Sequence, residues 1–443
     1  MAASVGAPGE RAVLACIAGP PGGWSLDDEM AELEELARGA GAEPAAAVIQ
    51  RQPKYHSATL FGKGKVEEIA AAVAAEAATV VLCSRNLSPR QQLHLQEAVS
   101  CKVIDRTRLI LDIFAARARS REGRLQVELA QLLYLLPRLT GLGRDLSRTG
   151  GGIGTRGPGE TQLETDRRRV RTRIAALRRE IAEVAATREV QRGGRRRHGM
   201  PLVALVGYTN AGKSTLHRAL CGSDVFVADQ LFATLDPTTR QMGLPGGRAA
   251  LLTDTVGFVH DLPHDLVAAF SATLEEIRQA DLLLEVVDQS HPRAAEQRDT
   301  VDAVLGELGA ADLPRIVVWN KADRPHAAGL APDPWEGAAS VPAVRVSALR
   351  GDGLDALRTL MAARLPDARQ EVAALLPFGS EALVEAVRRQ GDLLSLAYEA
   401  GGIRISARCA PQLAARLTAA AAVPGAAAPD AGAAPGLGTQ PPP

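Results

Sequence analysis

The clearest chemical pattern in the chain is G-x-x-x-x-G-K-[ST], whose fixed positions are filled by Gly207, Gly212, Lys213 and Ser214. Glycines here let successive backbone N–H groups point at the phosphates of a nucleotide. Lys213 can reach the β- and γ-phosphates, and Ser214 can bind Mg²⁺. Apolar residues 202–206 predict a strand before the motif, and residues 215–221 predict a helix after it. The stretch is therefore predicted to be a phosphate-binding loop.

Two motifs that could sense a γ-phosphate follow along the chain. The segment FATLD at 232–236 falls in a polar connection, where Thr234 can complete the Mg²⁺ coordination when a γ-phosphate is present. A predicted strand at 251–253 ends in DTVG, which places Asp254 near the metal and the Gly257 N–H near the γ-phosphate.

Two further motifs point to guanine as the base. A predicted strand at 316–319 ends in NKAD, and its Asp323 can accept hydrogen bonds from the N1–H and the N2 amine of guanine. Adenine presents no such donor pair, so GTP is favoured over ATP. The segment SAL at 347–349 follows another predicted strand and can contact the guanine carbonyl through backbone N–H. Each motif alone is weak evidence, but five in order are strong evidence.

The predicted site is the sum of these motifs. Lys213, Thr234 and Gly257 are the predicted catalytic residues, and Ser214 and Thr234 are the predicted Mg²⁺ ligands. The predicted nucleotide-binding residues are Gly207, Tyr208, Thr209, Asn210, Ala211, Gly212, Lys213, Ser214, Thr215, Phe232, Ala233, Thr234, Leu235, Asp236, Asp254, Thr255, Val256, Gly257, Asn320, Lys321, Asp323, Ser347, Ala348 and Leu349.

Strands and helices must position these motifs, and their order predicts an α/β fold. A P-loop GTPase domain is predicted at 200–367, and a small α/β domain with a mainly parallel sheet at 11–105. A small α/β appendage is predicted at 371–416. Residues 1–10 are expected to be flexible, residues 191–199 to be a linker, and the Ala/Pro/Gly tail 418–443 to be disordered.

Charge is concentrated in one segment. Residues 106–198 contain 22 Arg, no Lys and 10 acidic residues, so this segment carries +12 and the remainder −12. Apolar residues recur at helical spacing in 121–139 and 163–184, which predicts a long antiparallel helical hairpin over 106–190. Its many arginines suit phosphate oxygens, so an RNA-facing surface is the preferred interpretation and a solvated helix face the alternative.

The two predicted helices are joined by a glycine-rich loop at 141–160. It has eight glycines and three arginines, and it contains G-x-G-x-x-G. A helix precedes that pattern and Pro158 follows it, so a dinucleotide site is not predicted. A basic loop at the tip of a hairpin is instead predicted to reach into a phosphate-lined cavity.

Composition limits the class of protein. The chain of 443 residues is 46% hydrophobic and 23% charged, as in globular proteins of two or three domains. Near the amino end only residues 12–18 form an apolar run, so we expect a cytoplasmic protein without a membrane span. The five scattered cysteines include no C-x-x-C pair and predict neither zinc nor disulfides. We also expect a monomer.

The motifs resemble the HflX family of translational GTPases. The similar segments in the GTPase domain are GYTNAGKST at 207–215, QLFATLDPTTR at 230–240, DTVGFVHDLPHDLVAAF at 254–270, NKAD at 320–323 and SAL at 347–349. Those before it are LFGKGKVEEI at 60–69, SREGRLQVELAQLLYLLPRL at 120–139 and GGGIGTRGPGETQLETDRR at 150–168. The resemblance runs from about residue 10 to 410. It implies a GTPase that binds the large ribosomal subunit and its rRNA, inserts the hairpin near the peptidyl-transferase region and separates stalled ribosomes under stress.

The predicted function is therefore Mg²⁺-dependent GTP hydrolysis coupled to ribosome binding. One alternative is a small-GTPase-like signalling module that acts through protein partners, and another is an RNA-binding factor that uses GTP only for structure. The position after D-x-x-G holds Phe258, where many regulatory GTPases have a water-orienting Gln. Slow hydrolysis by the isolated protein is predicted, with the missing polar contact supplied by the ribosome or another side chain.

Overall fold

A computed structural model describes residues 9–19, 24–52, 54–140, 158–197, 200–222, 232, 234–236, 238–260, 271–325, 341–367, 369–409 and 411–421. These residues form two compact units. The larger unit takes in the described residues up to Gly194 and those within 201–243 and 249–365. The smaller unit takes in those within 195–200 and 244–248 and those from Pro366 onward.

The larger unit begins with a parallel sheet. Its strands are β1 (Glu10–Ile17), β2 (Ala42–Gln50), β3 (Val80–Cys83) and β4 (Lys102–Ile104), in the order β2-β1-β3-β4 with every neighbouring pair parallel. Helices α1 (Leu26–Gly39), α2 (Lys63–Ala75) and α3 (Pro89–Val99) connect them. Ser88 caps α3 in a capping box with Gln91. Strand β2 is not predicted by the sequence because its alanines and Pro44 are poor strand formers.

Three helices follow this sheet: α4 (Arg106–Arg117), α5 (Arg121–Leu135) and α6 (Pro158–Arg197). Nine of the twelve residues of α4 are buried, so it lacks the one-sided periodicity that would have marked it in the sequence. Leu125 and Leu129 of α5 share a buried cluster with Ile174 and Leu177 of α6. The antiparallel course of the hairpin stays a prediction. Most of the glycine-rich loop, 141–157, lies outside the described residues.

The linker predicted at 191–199 is helical as far as Arg197. Arginine is a good helix former, and each of the two glycines at 193 and 194 costs only about 1 kcal/mol in a helix, so neither stops it.

The second sheet belongs to the part of the chain that carries the five motifs, which we call the G domain. Its strands are β5 (Leu202–Gly207), β6 (Thr238–Leu244), β7 (Arg248–Asp254), β8 (Leu282–Asp288), β9 (Arg315–Asn320) and β10 (Ala343–Arg345), in the order β10-β9-β8-β5-β7-β6. Its helices are α7 (Lys213–Cys221), α8 (Ser271–Arg278), α9 (Ala294–Glu307) and α10 (Leu354–Arg364). The pairs that join β5, β7, β8, β9 and β10 are parallel. Their carboxyl ends therefore lie at one edge, where open α/β sheets bind ligands.

The smaller unit is built around an antiparallel sheet. Strands β11 (Gln370–Leu376), β12 (Asp392–Glu399) and β13 (Gly402–Cys409) are ordered β11-β13-β12. Helices α11 (Glu381–Gln390) and α12 (Pro411–Ala421) bury residues of one face, among them Val387 and Leu417. The prediction of disorder from residue 418 is wrong for 418–421, because alanine favours the helix and Leu417 anchors it. Residues 422–443 lie outside the described residues.

In the part of the chain that the structure describes, no helix is both long and apolar enough to cross a membrane. All five cysteines lie in that part and are free thiols. The α/β fold class with a P-loop GTPase domain is confirmed.

Candidate nucleotide-binding site

Two glycines of the loop between β5 and α7 allow it to lie close to neighbouring strands. Gly207 has φ of 148° and Gly212 has φ of 93°, in the region that side chains rarely adopt. A Cβ at Gly207 would collide with the carbonyl oxygen of Val286, and one at Gly212 with the side-chain amide of Asn320. The loop backbone therefore turns tightly at the carboxyl edge of the sheet, as a phosphate site requires.

The Lys213 side chain forms hydrogen bonds with the backbone of this loop. Its Nζ donates to the carbonyl oxygens of Gly207 at 3.0 Å and Tyr208 at 2.7 Å, and the side chain is only 6% exposed. Burial lowers the pKa of the amine to about 8, although the nearby Asp254 carboxylate acts in the opposite direction. A Cβ at Gly257 would lie 2.9 Å from the Nζ atom, so the amine faces the Gly257 backbone.

Three oxygen-bearing side chains meet beside the loop. Ser214 Oγ lies 2.8 Å from Thr234 Oγ1, and both hydroxyls donate to Asp254 Oδ2 at 2.7 Å. The other carboxylate oxygen, Asp254 Oδ1, is buried and has no hydrogen-bond partner in the described part of the chain. Adjacent ligands of an octahedral Mg²⁺ ion are about 2.9 Å apart, and magnesium prefers hard oxygen ligands. The three residues therefore fit a Mg²⁺ ion.

The opposite end of the site is tied together by Asn320. Its side-chain amide donates to the Ala211 carbonyl at 2.9 Å and accepts from the Ala348 N–H at 3.1 Å. Asn320 is 2% exposed, so a buried side chain connects the phosphate loop to the segment 347–349 by hydrogen bonds.

Asp323 is held in place by Ser347, whose hydroxyl donates to Asp323 Oδ1 at 2.5 Å. This hydrogen bond lowers the pKa of the carboxyl group and keeps it ionised. Lys321, at a φ of 61°, forms an ion pair with Asp288 at 2.7 Å, which fixes the segment that carries Asp323. A carboxylate held this way can accept hydrogen bonds from guanine.

The backbone after β7 is joined to the phosphate loop. The Thr209 N–H donates to the Phe258 carbonyl at 2.8 Å, and the Phe258 N–H donates to the Gly207 carbonyl at 3.1 Å. The Phe258 side chain is 1% exposed and lies in the core cluster of the larger unit. This side chain has no polar atom, and Phe258 is not among the residues that line the cavity beside the loop.

Most of the predicted site residues surround one cavity of about 220 Å³. Those that line it are Thr209, Asn210, Gly212, Lys213, Ser214, Thr215, Phe232, Thr234, Thr255, Gly257, Asn320, Lys321, Asp323, Ala348 and Leu349. Those placed behind or beside it are Gly207, Tyr208, Ala211, Leu235, Asp236, Asp254, Val256 and Ser347. Ala233 lies outside the described residues. Arg324 also lines the cavity and was missed, although it directly follows Asp323.

Three family models match the chain. The model described as 50S ribosome-binding GTPase matches residues 202–321. Those described as GTP-binding GTPase N-terminal and GTP-binding GTPase Middle Region match residues 27–115 and 117–195. The chain is 45% identical to GTPase HflX of Caldanaerobacter subterraneus, over 92% of this chain and 93% of that protein. This chain belongs to the HflX GTPase family.

A second curated relative agrees with this assignment. GTPase HflX of Escherichia coli K12 is 49% identical, over 71% of this chain and 74% of that protein. A crystal structure of a GTP-binding protein from Sulfolobus solfataricus in complex with GDP is 22% identical, with a TM-score of 0.44 over 79% of this chain and 96% of that one. As a member of the HflX GTPase family with a P-loop GTPase domain, the chain is a GTP hydrolase.

Two predicted nucleotide-binding residues direct their side chains to other parts of this HflX-family chain. The Tyr208 hydroxyl donates to Glu32 of α1 and accepts from the His260 N–H at 2.8 Å. Burial, followed by the Glu32 charge, raises the Tyr208 pKa, so the phenol stays neutral. Asp236 instead accepts hydrogen bonds from Arg119 and Ser120. Neither side chain points into the nucleotide cavity.

Proposed function

We propose that this GTPase binds the large ribosomal subunit in its GTP-bound state and hydrolyses GTP there with Mg²⁺. In the cell this reaction would separate or rescue stalled ribosomes in the cytoplasm under stress. The observation that carries the proposal is the match of residues 202–321 to the 50S ribosome-binding GTPase model. The concentration of arginine in residues 106–198 supports an RNA partner.

In this proposal the residues of the cavity divide the work of hydrolysis. Lys213 stabilises negative charge on the phosphoryl group that is transferred, and the Gly257 N–H binds the γ-phosphate. Ser214 and Thr234 would hold Mg²⁺, and Asp254 would bind it through a water molecule. The metal ion neutralises phosphate charge when it is bound. Asp323 selects guanine.

Phe258 is the reason why we expect slow turnover in the absence of the ribosome. Its apolar side chain is buried and cannot orient the attacking water. A polar group from the ribosome, or one from elsewhere in the chain, must replace the missing contact.

Helix α6 offers the surface that we propose for rRNA. Arg168, Arg178 and Arg179 are exposed, and no carboxylate pairs with them among the described residues. Arg173, in contrast, is paired with Glu128 of α5 at 2.7 Å. Unpaired guanidinium groups remain available for phosphate oxygens. The segment 141–160 contributes three more arginines, which we propose act on the same partner.

Co-sedimentation with purified large subunits tests the proposal. The protein should pellet with them in a non-hydrolysable GTP analogue and much less in GDP. Arg178→Gln with Arg179→Gln should weaken binding more at low salt concentration than at high, and reduce the salt dependence by about one phosphate contact per arginine. Arg278→Gln with Arg364→Gln removes the same charge from exposed helix positions outside α6 and should have little effect. Equal pelleting in GDP and analogue, or no pelleting, would contradict the proposal.

A further inference from the structure

The carboxylate of Asp236 is bound by the two residues that directly precede helix α5, Arg119 and its N-cap Ser120. Its Oδ2 accepts from the backbone N–H of Arg119 at 2.8 Å and of Ser120 at 2.7 Å, and its Oδ1 accepts from the Ser120 hydroxyl. Ser120 is also the N-cap of α5, and its hydroxyl accepts from the Gly123 N–H at 2.8 Å. Asp236 therefore satisfies N–H groups at the positive end of a helix, where a carboxylate is favoured.

Asp236 is only two residues from Thr234, the hydroxyl that completes the proposed Mg²⁺ site. Leu235 between them is 3% exposed and is part of the core cluster of the larger unit. On the other side of Thr234, Phe232 packs edge-to-face on Phe114 of α4, with ring centroids 4.7 Å apart. Thr234 thus lies between two residues that contact the region before the G domain. Phe232 packs on α4, and Asp236 binds the N-cap residue of α5.

We propose that Asp236 is a positioning residue for GTP hydrolysis, which holds Thr234 at the Mg²⁺ site by binding Ser120, the N-cap of α5, and Arg119 before it. The inference rests on the proposed role of Thr234 as a Mg²⁺ ligand. Coupling between two sites is reciprocal, so a nucleotide with a γ-phosphate should in turn strengthen the hydrogen bonds between Asp236 and α5. GDP has no γ-phosphate, so its affinity should not depend on Asp236.

Gly123 offers a variant that displaces Asp236 without altering it. A Cβ at Gly123 would collide with Asp236 Oδ1 and would lie 3.1 Å from Ser120 Oγ. Alanine is the better helix former, so Gly123→Ala should leave α5 itself intact. Gly64→Ala is the matched control, because Gly64 also lies in the first turn of a helix and a Cβ there meets nothing within 4 Å.

The test compares the wild type with Asp236→Ala, Asp236→Asn, Gly123→Ala and Gly64→Ala in the full chain. Single-turnover GTP hydrolysis and analogue affinity should each fall roughly tenfold in Asp236→Ala and Gly123→Ala, which corresponds to about 1.4 kcal/mol. The oxygen of Asp236→Asn can still accept from both N–H groups, so this variant should keep most of the wild-type rate. Gly64→Ala should match the wild type. GDP affinity should stay within about threefold in all four variants, which shows that each is folded.

Hydrogen exchange supplies a readout that does not depend on turnover. The amides of Arg119 and Ser120 should exchange more slowly with the GTP analogue than with GDP, and Asp236→Ala should abolish that difference.

The inference is overturned if Asp236→Ala and Gly123→Ala hydrolyse GTP and bind the analogue within twofold of the wild type, or if the two amides exchange equally with both nucleotides. In that case the proposed function is unaffected, because its test is co-sedimentation of the wild type with large subunits. A wild-type protein that binds GDP but does not hydrolyse GTP, with or without large subunits, would overturn the proposed function and this inference together.

Discussion

Replacing Asn320 with alanine should weaken both the fold and the binding of nucleotide. The side chain is 2% exposed and bridges the Ala211 carbonyl and the Ala348 N–H. Its removal leaves two backbone groups without partners, at about 1–3 kcal/mol each. Water from the adjacent cavity can satisfy part of this loss, so we expect a decrease of about 2–4 kcal/mol in the free energy of unfolding.

The same change should reduce GDP affinity at least about tenfold, because no side chain then connects the phosphate loop to the segment 347–349 by hydrogen bonds. Urea unfolding and calorimetric titration with GDP measure the two effects. Asn86→Ala is the control: Asn86 also accepts two hydrogen bonds, both from Thr107, but lies in the N-terminal α/β part. It should leave GDP affinity unchanged. The proposed role of Asn320 is refuted if Asn320→Ala has the GDP affinity of the wild type and a free energy of unfolding within about 0.5 kcal/mol of the wild-type value.

Three shorter predictions follow from other residues of the site. Burial lowers the Lys213 pKa to about 8, whereas bound phosphates favour the charged amine, so GDP binding should take up a proton above about pH 8 and weaken as the pH rises further. Equal binding enthalpies at pH 9 in two buffers of different ionisation enthalpy would contradict this. Asp323→Asn should cost GTP affinity a few kcal/mol, about 1.5–3 per charge-assisted hydrogen bond, and shift preference towards xanthine nucleotides in competition binding. Phe258→Gln should lower the free energy of unfolding by about 3 kcal/mol without accelerating hydrolysis, because that side chain lies in the core. Faster turnover at an unchanged free energy of unfolding would contradict the position of this side chain in the core.

The phosphate loop and the guanine-reading segment could be predicted because their chemistry fixes both residue type and spacing. Gly207 and Gly212 must be glycine for backbone reasons alone, and Asp323 must be an acceptor whatever surrounds it. The structure adds the partners of these residues, such as Ser347 for Asp323.

The sequence could not reveal which residues near the motifs direct their side chains away from the nucleotide cavity. Asp236 and Tyr208 lie inside or beside nucleotide motifs, but their side chains bind Ser120 and Glu32, which are 116 and 176 positions away in the chain. Such contacts depend on how the helices before the G domain pack against it, and no local pattern encodes that packing. The bounds of α4 within the hairpin predicted over 106–190 could not be read from the sequence either, because burial on nearly all sides removes the helical periodicity.

GTP turnover with and without purified large ribosomal subunits tests the central claim most directly. The protein alone should hydrolyse GTP slowly because Phe258 cannot orient water, and large subunits should raise the rate by at least about tenfold, equal to about 1.4 kcal/mol of barrier. Small subunits at the same concentration should not. The claim is contradicted if turnover by the isolated protein is fast and large subunits leave it unchanged.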